Sequence, residues 1–178
     1  MKQIKIHDLL FKPFLSQEEI TSRIEDLGKV IEKDYANKRP IFICILNGSF
    51  MFTADLVRAA NIECEIAFMK VSSYEGTSST GTVKTIYGID VPLENRHIII
   101  VEDIVDTGRT MKKLLTDLTA LQPTSISTAT LLLKPDALEY SDLKLDYVGF
   151  EIENKFVVGY GLDYDELGRN WKEIYQKV

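Results

Sequence analysis

Histidine and cysteine are both scarce in this sequence, which has two of each among 178 residues. His7 and His97 have no patterned partner, and this argues against a zinc site or a Ser-His-Asp triad. Cys44 and Cys64 lie in apolar segments without the spacing of metal ligands. We therefore expect both thiols to be reduced, as is usual in a cytoplasmic protein.

An excess of positive charge is also missing, because the formal net charge is -6 and the pI is near 5.0. This acidity argues against a large nucleic-acid surface and against a polybasic membrane patch. No apolar run reaches membrane-spanning length, and the N-terminal residues lack the apolar core of a signal peptide. Neither G-x-G-x-x-G nor G-x-x-x-x-G-K-[ST] occurs, so a Rossmann dehydrogenase or a P-loop enzyme has no support. We expect neither a nucleic acid nor a membrane as a partner.

The most informative stretch runs from residue 96 to residue 121 and reads RHIIIVEDIVDTGRTMKKLLTDLTAL. Four β-branched residues at 98–101 predict a strand that is buried on both faces, as in a parallel sheet. Glu102 and Asp103 follow at the point where that strand is expected to leave the sheet. Apolar residues then recur at helical spacing, so a helix is predicted to begin near Thr110.

The turn between that strand and that helix has the properties of a phosphate site. Free backbone N–H groups and the helix dipole favour an anion at a helix start. Gly108 allows a ligand to approach the main chain, and Thr107 and Thr110 add hydroxyl donors. Carboxylates beside a phosphate suggest sugar hydroxyls and a shared Mg²⁺. A tight turn with a helix cap is the ordinary alternative for each residue alone, whereas the whole E-D-x-x-D-T-G-x-T arrangement favours a phosphorylated sugar.

The rest of the chain predicts strands that alternate with helices. Helices are expected at 17–35 and 50–60, and strands at 41–46, 66–71, 83–87, 126–133, 147–151 and 156–160. This alternation predicts an α/β fold with a central, mostly parallel twisted sheet flanked by helices, formed by one domain over residues 1–178. The hairpin over 66–87 and the C-terminal segment are expected to form a small cap, or hood, over the sheet edge.

Two segments outside the central stretch each allow two interpretations. Residues 72–81 contain one large side chain, Tyr74, and predict either a surface loop or a flexible lid over a reactive site. Lys134 ends a predicted strand, where it is either solvated or directed at a ligand. The strands ending at 46, 101 and 133 are expected to face one cleft with their carboxyl ends.

Residues 101–111, VEDIVDTGRTM, closely resemble the phosphoribosyl-diphosphate loop of type I phosphoribosyltransferases. The resemblance extends over residues 40–169 and is strongest to the branch that acts on hypoxanthine and guanine. It implies a purine-salvage enzyme that joins a 6-oxopurine base to phosphoribosyl diphosphate with Mg²⁺ and releases pyrophosphate. It also implies a homodimer or homotetramer, since relatives usually form dimers or tetramers.

The resemblance assigns roles within the central stretch. Glu102 and Asp103 would bind the ribose hydroxyls and the metal ion. Asp106 would be the general base that accepts a proton from the purine. The phosphoribosyl 5-phosphate would be held by Asp106 together with Thr107, Gly108, Arg109 and Thr110.

Segments outside this stretch would bind the base and the pyrophosphate. Lys134 would donate a hydrogen bond to the purine 6-oxygen, Phe156 would stack on the base, and the Val157 backbone would bond the edge of the base. The resemblance implies Lys134, Phe156, Val157 and Asp163 for purine binding, Asn47, Gly48 and Arg169 for pyrophosphate, Asp163 also for a second metal contact, and Ser73 and Tyr74 for the lid.

The sequence departs from this family at the pyrophosphate loop, where Asn47 replaces the usual lysine. An amide can donate a hydrogen bond but carries no charge, so the role of Asn47 is open. The preference among hypoxanthine, guanine and xanthine is open as well. A nucleotide-sensing regulator that keeps this fold is the alternative from another class, but the acidic composition and the presence of Asp106 and Lys134 argue against it.

Overall fold

The computed structural model describes residues 2–73 and 83–178, and at 72–73 and 83–87 it describes the backbone alone. The strands are β1 (Ile4–Ile6), β2 (Leu9–Leu15), β3 (Ile41–Leu46), β4 (Glu65–Ser73), β5 (Val83–Tyr87), β6 (His97–Val105), β7 (Ser125–Leu133), β8 (Tyr147–Glu151), β9 (Val157–Val158) and β10 (Ile174–Lys177). The helices are α1 (Gln17–Asp34), α2 (Phe50–Ala60) and α3 (Arg109–Thr119), and a short 3₁₀ turn occupies Pro135–Ala137. Within the described ranges, no helix is both long and apolar enough to cross a membrane.

The main sheet has six strands in the order β5-β4-β3-β6-β7-β8. The five strands β4, β3, β6, β7 and β8 run parallel, and β5 pairs with β4 in the antiparallel direction. Helices α1 and α2 pack on one face of this sheet, and α3 packs on the other. The predicted α/β fold with a central, mostly parallel sheet flanked by helices is confirmed.

Strand β3 shows why the centre of the sheet is buried on both faces. Phe42 packs into the cluster formed with α1 and α2, whereas Ile41, Ile43 and Ile45 pack into the cluster formed with α3. A strand between two helix layers needs apolar side chains on both faces, and an unbroken apolar run supplies them.

Helix α1 is fixed at its start and at its middle. Ser16 and Glu19 form the capping box that the sequence predicts, so the helix begins at Gln17. At Gly28 the helix approaches α2 so closely that a Cβ atom would lie 2.5 Å from the carbonyl carbon of Ala59. This contact holds α2 in place, and α2 begins directly after the loop that carries Gly48.

A second, four-stranded antiparallel sheet forms the hood, in the order β1-β2-β10-β9. The prediction that the 66–87 hairpin belongs to the hood is wrong, because β4 pairs with β3 and therefore extends the main sheet. The C-terminal segment pairs instead with the N-terminal hairpin, which the sequence did not predict. Lys12 and Pro13 interrupt the apolar pattern of β2, and Pro13 lacks a backbone donor, so the sequence signal for this strand is weak.

Two predicted strand boundaries also change. Strand β6 continues to Val105, so Glu102 and Asp103 lie within the strand and not beyond it. The strand predicted at 156–160 contains only two residues, because Gly159 and Tyr160 have φ of 104° and 48°. Ser73 is the last residue of β4, whereas Tyr74 and the rest of the predicted lid, up to Gly81, lie outside the described residues.

Candidate active site

Three loops meet at the carboxyl edge of the main sheet. Strands β3, β6 and β7 are neighbours and run parallel, so their carboxyl ends lie on the same edge. Open α/β sheets bind ligands at this edge. The loops that follow these strands carry Asn47 and Gly48, residues 106–108, and Lys134, as the sequence predicts.

The turn between β6 and α3 encloses a cavity of about 100 Å³, which is lined by Glu102 and residues 104–111. Gly108 precedes α3 with φ of 81°, a conformation that side-chain-bearing residues rarely adopt. The first backbone N–H groups of α3 have no partner within the helix, and the positive end of the helix dipole lies at the same point. Thr107, Gly108, Arg109 and Thr110 therefore surround a space whose chemistry suits a phosphate.

The segment after β7 supports this turn. The N–H of Glu139 donates to the Thr107 carbonyl at 3.0 Å, and the Glu139 carboxylate accepts from Nε of Arg109 at 2.6 Å. A Cβ atom at Gly108 would lie 2.8 Å from Cδ2 of Leu143. Glu139 therefore holds the guanidinium of Arg109, a contact that the sequence did not predict.

Glu102 and Asp103 are partly buried carboxyl groups near the end of β6, and Oε2 of Glu102 is itself inaccessible to solvent. Burial raises the pKa of Glu102 well above its ordinary value, and the charge of Asp103 adds to the shift. Burial also raises the pKa of Asp103, to about 6, although the N–H of Ile104 and the charge of Arg169 oppose the shift. Within the part of the chain that is described, Oε2 of Glu102 has no hydrogen-bond partner. A buried carboxylate oxygen without a partner is suited to a cation or to the hydroxyl groups of a ligand.

Gly48 lies directly against Asp103. A Cβ atom at Gly48 would overlap Oδ2 of Asp103, and a Cβ atom at Gly161 would overlap the carbonyl oxygen of Gly48. Both positions therefore require glycine. The peptide bond between Leu46 and Asn47 is cis. The loop after β3, the end of β6 and the loop after β9 are thus packed together at one point.

Arg169 links the C-terminal loop to this point. Its Nη1 donates to the carbonyl of Gly161 at 2.9 Å, and its Nη2 lies 2.8 Å from Oδ1 of Asp163 and 3.1 Å from Oε2 of Glu166. The other oxygen of Asp163 accepts the N–H of Glu166 at 2.8 Å. Both oxygens of Asp163, the predicted second metal contact, are therefore engaged by the protein itself. Over residues 2–73 and 83–178, no group of three or more Asp, Glu, His or Cys side chains is placed to hold a metal ion.

Lys134 and Asp106 form an ion pair, with 2.7 Å between Nζ and Oδ2. The Lys134 side chain is 8% exposed, whereas the Asp106 side chain is 47% exposed. The pair forms because β6 and β7 are adjacent, and the N–H of Lys134 donates to the Val105 carbonyl at 3.0 Å. The sequence predicts both residues at the site but not the contact between them. An ammonium group has three N–H donors, so two remain for a ligand.

Phe156 and Val157 belong to the hood and not to the main sheet. Val157 is buried, and Phe156 is 42% exposed. The Phe156 ring packs against Phe11 and Tyr164, at centroid distances of 6.0 Å and 5.7 Å. The predicted base-binding residues are therefore divided between two sheets, with Lys134 on one and Phe156 on the other.

The comparison with known proteins identifies the class. A family model described as the phosphoribosyl transferase domain matches residues 14–165, and the chain belongs to this family. The resemblance found in the sequence is thereby confirmed.

Similar proteins narrow the comparison further. The hypoxanthine-guanine phosphoribosyltransferase of Streptococcus thermophilus is 41% identical over 93% of this chain and 96% of its own length. The hypoxanthine phosphoribosyltransferase of Buchnera aphidicola is 46% identical over 89% of this chain and 90% of its own length. A crystal structure of a hypoxanthine phosphoribosyltransferase from Staphylococcus aureus is 40% identical, with a TM-score of 0.89 over 94% of this chain and 91% of that one.

The raised pKa of Asp103 predicts a pH-dependent cost in stability. Between the ordinary value of 3.8 and about 6, the folded protein retains a proton that the unfolded chain releases. The free energy of unfolding therefore falls as the pH rises through this window, and the full cost is present above it. Asp103→Asn should raise the free energy of unfolding by up to about 3 kcal/mol at about pH 7.5, and by much less at about pH 4.

Urea unfolding of the ligand-free protein without divalent ions measures this effect. The control is Asp136→Asn, which alters an exposed carboxylate and should change little at either pH. A loss of stability in Asp103→Asn at both pH values would contradict the prediction.

Proposed function

We propose that this chain transfers the 5-phosphoribosyl group of phosphoribosyl diphosphate to hypoxanthine, and to guanine as well, in purine salvage. The products are the purine nucleoside monophosphate and pyrophosphate. One observation carries the proposal: a helix-start cavity, two partly buried carboxyl groups and the Lys134–Asp106 pair occupy one sheet edge. Relatives that are 41% and 46% identical and bear names of this activity support the same reaction.

The 5-phosphate occupies the cavity at the start of α3 in this proposal. The free backbone N–H groups and the Thr107 and Thr110 hydroxyls donate to its oxygens. Gly108 lets the phosphate approach the main chain. Arg109 contributes its backbone N–H, because Glu139 holds its guanidinium. Next to the cavity, Glu102 and Asp103 accept hydrogen bonds from the ribose hydroxyls.

The base lies between the two sheets. Lys134 donates to the purine 6-oxygen with an N–H group that Asp106 does not use. Phe156 offers its exposed ring to the base, and the Val157 backbone and the loop at Asp163 bond the edge. A 6-amino purine would place donors against the buried ammonium, and an unsatisfied buried donor costs about 1–3 kcal/mol. The pocket therefore selects 6-oxopurines over adenine.

Asp106 is the general base of the proposed reaction. Its carboxylate is half exposed to the site, and its position is fixed by the buried ammonium of Lys134. As the bond between base and ribose forms, Asp106 accepts the proton that leaves the imidazole ring of the purine. The same lysine thus contacts both the proton acceptor and the oxygen of the base.

The pyrophosphate lies beside Gly48, Asn47 and Arg169. Arg169 supplies the positive charge there, since Asn47 can only donate a hydrogen bond. Glu102 and Asp103 would hold Mg²⁺, since carboxylate oxygens suit this ion and Oε2 of Glu102 is buried without a hydrogen-bond partner among the described residues. When bound, Mg²⁺ would stabilise negative charge on the leaving group. Asp163 would share its carboxylate between Mg²⁺ and Arg169, whose Nη2 lies 2.8 Å from Oδ1.

The lid also has a role in the proposed reaction. Ser73 and Tyr74 form part of a lid that excludes water from the electron-poor ribose.

The enzyme acts in the cytoplasm, where its two free cysteines, Cys44 and Cys64, stay reduced. Cell fractionation that places the protein outside the cytoplasm would contradict the proposed location.

The proposed activity predicts a spectrophotometric result with four bases. With phosphoribosyl diphosphate and Mg²⁺, the protein should convert hypoxanthine and guanine, and kcat/KM for adenine should be lower by at least about fivefold. Xanthine is assayed in parallel, and chelation of Mg²⁺ should abolish turnover. Absence of turnover with all three 6-oxopurines would refute the proposal.

The Lys134–Asp106 pair predicts two different kinetic defects. Asp106→Asn should lower kcat by about a hundredfold and leave nucleotide affinity nearly unchanged, because the proton acceptor is lost. Lys134→Ala should raise KM for hypoxanthine while binding of phosphoribosyl diphosphate is retained. Steady-state kinetics and calorimetric binding separate the two effects.

The chain offers a matched control in the exposed pair Lys112–Asp142, whose Nζ and Oδ2 lie 2.5 Å apart. Lys112→Ala and Asp142→Asn should leave kcat and both KM values close to wild type. An Asp106→Asn enzyme with nearly normal turnover would show that Asp106 is not the base. If Lys134→Ala weakened the binding of both substrates equally, the proposed role of Lys134 at the 6-oxygen would be excluded.

We also propose that the protein assembles as a homodimer or homotetramer through the face of β4 that carries Ile66 and Phe68, which no described helix covers. Parallel sheets normally have both faces covered, yet Ile66 and Phe68 are 47% and 54% exposed. They lie on the face that α1 and α2 cover elsewhere, since Ile66 pairs with Phe42. In a dimer with a two-fold axis, this face of β4 in one copy would cover the same face in the other copy.

Phe68→Ser is therefore expected to convert the oligomer to a monomer, as measured by light scattering on a sizing column. The matched control is Leu121→Ser, which alters a residue that is 51% exposed next to α3 and should leave the mass unchanged. A monomeric wild-type protein would contradict the proposal.

A further inference from the structure

A hydrogen bond at the tip of the N-terminal hairpin reaches the ring proposed to stack on the base. Asp8 lies in the turn between β1 and β2, and its Oδ1 accepts from the Tyr164 hydroxyl at 2.9 Å. Tyr164 is 156 positions away along the chain. The Tyr164 ring in turn contacts the Phe156 ring edge-to-face, with 5.7 Å between centroids and 85° between planes.

Tyr164 is the centre of a group of four rings. It contacts His7 at 5.6 Å, Phe11 at 6.5 Å and Phe156 at 5.7 Å between centroids. The contacts with His7 and Phe156 are edge-to-face, an arrangement favoured between aromatic rings that depends on the angle between the planes. The orientation of Tyr164 therefore affects the orientation of Phe156.

Different contacts fix the backbone and the ring of Tyr164. Its N–H donates to the Leu167 carbonyl at 2.9 Å, and its own carbonyl accepts from the Leu167 N–H at 3.1 Å. These bonds place the Cα atom but leave the side chain free to rotate. Among the described contacts of the side chain, the hydrogen bond to Asp8 is the directional one.

We propose that Asp8 and Tyr164 are positioning residues for the purine base. They hold the Phe156 ring in the orientation that stacks on the base, while the exposed part of that ring stays open to the ligand. The inference rests on the proposed function, in which Phe156 stacks on a 6-oxopurine. Both residues act through Phe156, so they affect binding of the base and not the chemical step.

Tyr164→Phe tests this role, because it removes the hydroxyl and keeps the ring. With saturating phosphoribosyl diphosphate and Mg²⁺, KM for hypoxanthine should rise about two- to fivefold, a modest effect because the hydrogen bond is exposed. The values of kcat and of KM for phosphoribosyl diphosphate should stay at the wild-type level. Asp8→Ala should reproduce this split, and the double variant should be no worse than either single variant.

Two controls distinguish positioning from a general structural effect. Asp8→Asn keeps an acceptor oxygen and should restore a KM close to wild type. Tyr147→Phe removes a hydroxyl that donates to Asp34 at the same distance of 2.9 Å. Tyr147 begins β8, an edge strand of the main sheet, and does not belong to the hood. This control variant should leave KM for hypoxanthine unchanged. Thermal unfolding of each variant confirms that the fold is retained.

The outcomes separate this inference from the proposed function. An unchanged KM for hypoxanthine in Tyr164→Phe would overturn the inference, while wild-type turnover would still support the function. An equal rise in KM for both substrates would also overturn it, because the whole loop at 161–166 would then have moved. A wild-type protein without turnover would refute the proposed function and the inference with it.

Discussion

The partial burial of two consecutive carboxyl groups near the end of β6 is the constraint on which the rest of the site depends. Removing a carboxylate from water is costly, and the raised pKa values of Glu102 and Asp103 express that cost. The neighbouring loops are built around it, since Gly48 and Gly161 have no side chain where one would collide. The charge of Arg169 opposes part of the cost. These carboxyl groups lower the free energy of unfolding, so selection for stability alone would replace them. Their presence is explained if they bind a ligand.

The two sheets divide the proposed substrate between them. The main sheet carries the phosphate cavity, the carboxyl groups and the Lys134–Asp106 pair, all at the ends of parallel strands. The hood carries the exposed Phe156 ring, and it is formed by the first and last strands of the chain. Binding of the base therefore requires that the hood keep a fixed position relative to the main sheet. The contacts of Arg169 and Gly161 lie at this junction.

Asn47 is uncharged, so Arg169 is the residue that brings positive charge to the proposed pyrophosphate site. Arg169 is 20% exposed and already contacts Asp163 and Glu166, so its charge is shared before any ligand arrives. In the proposed reaction, pyrophosphate competes with these carboxylates for Arg169. Glu166 is the more exposed of the two and is the easier partner to displace.

Local signals in the sequence determined the α/β class, the turn between β6 and α3 and many element boundaries. The predicted bounds of α2, β3, β5 and β8 agree with the structure, because apolar periodicity, glycine and helix caps act over a few residues. Only the tertiary structure decided the hood, the Lys134–Asp106 pair and the engagement of Asp163 by Arg169. Each of these depends on contacts between distant segments or on how a loop closes. Which distant segments meet is settled by the burial of the whole chain, which no local pattern records.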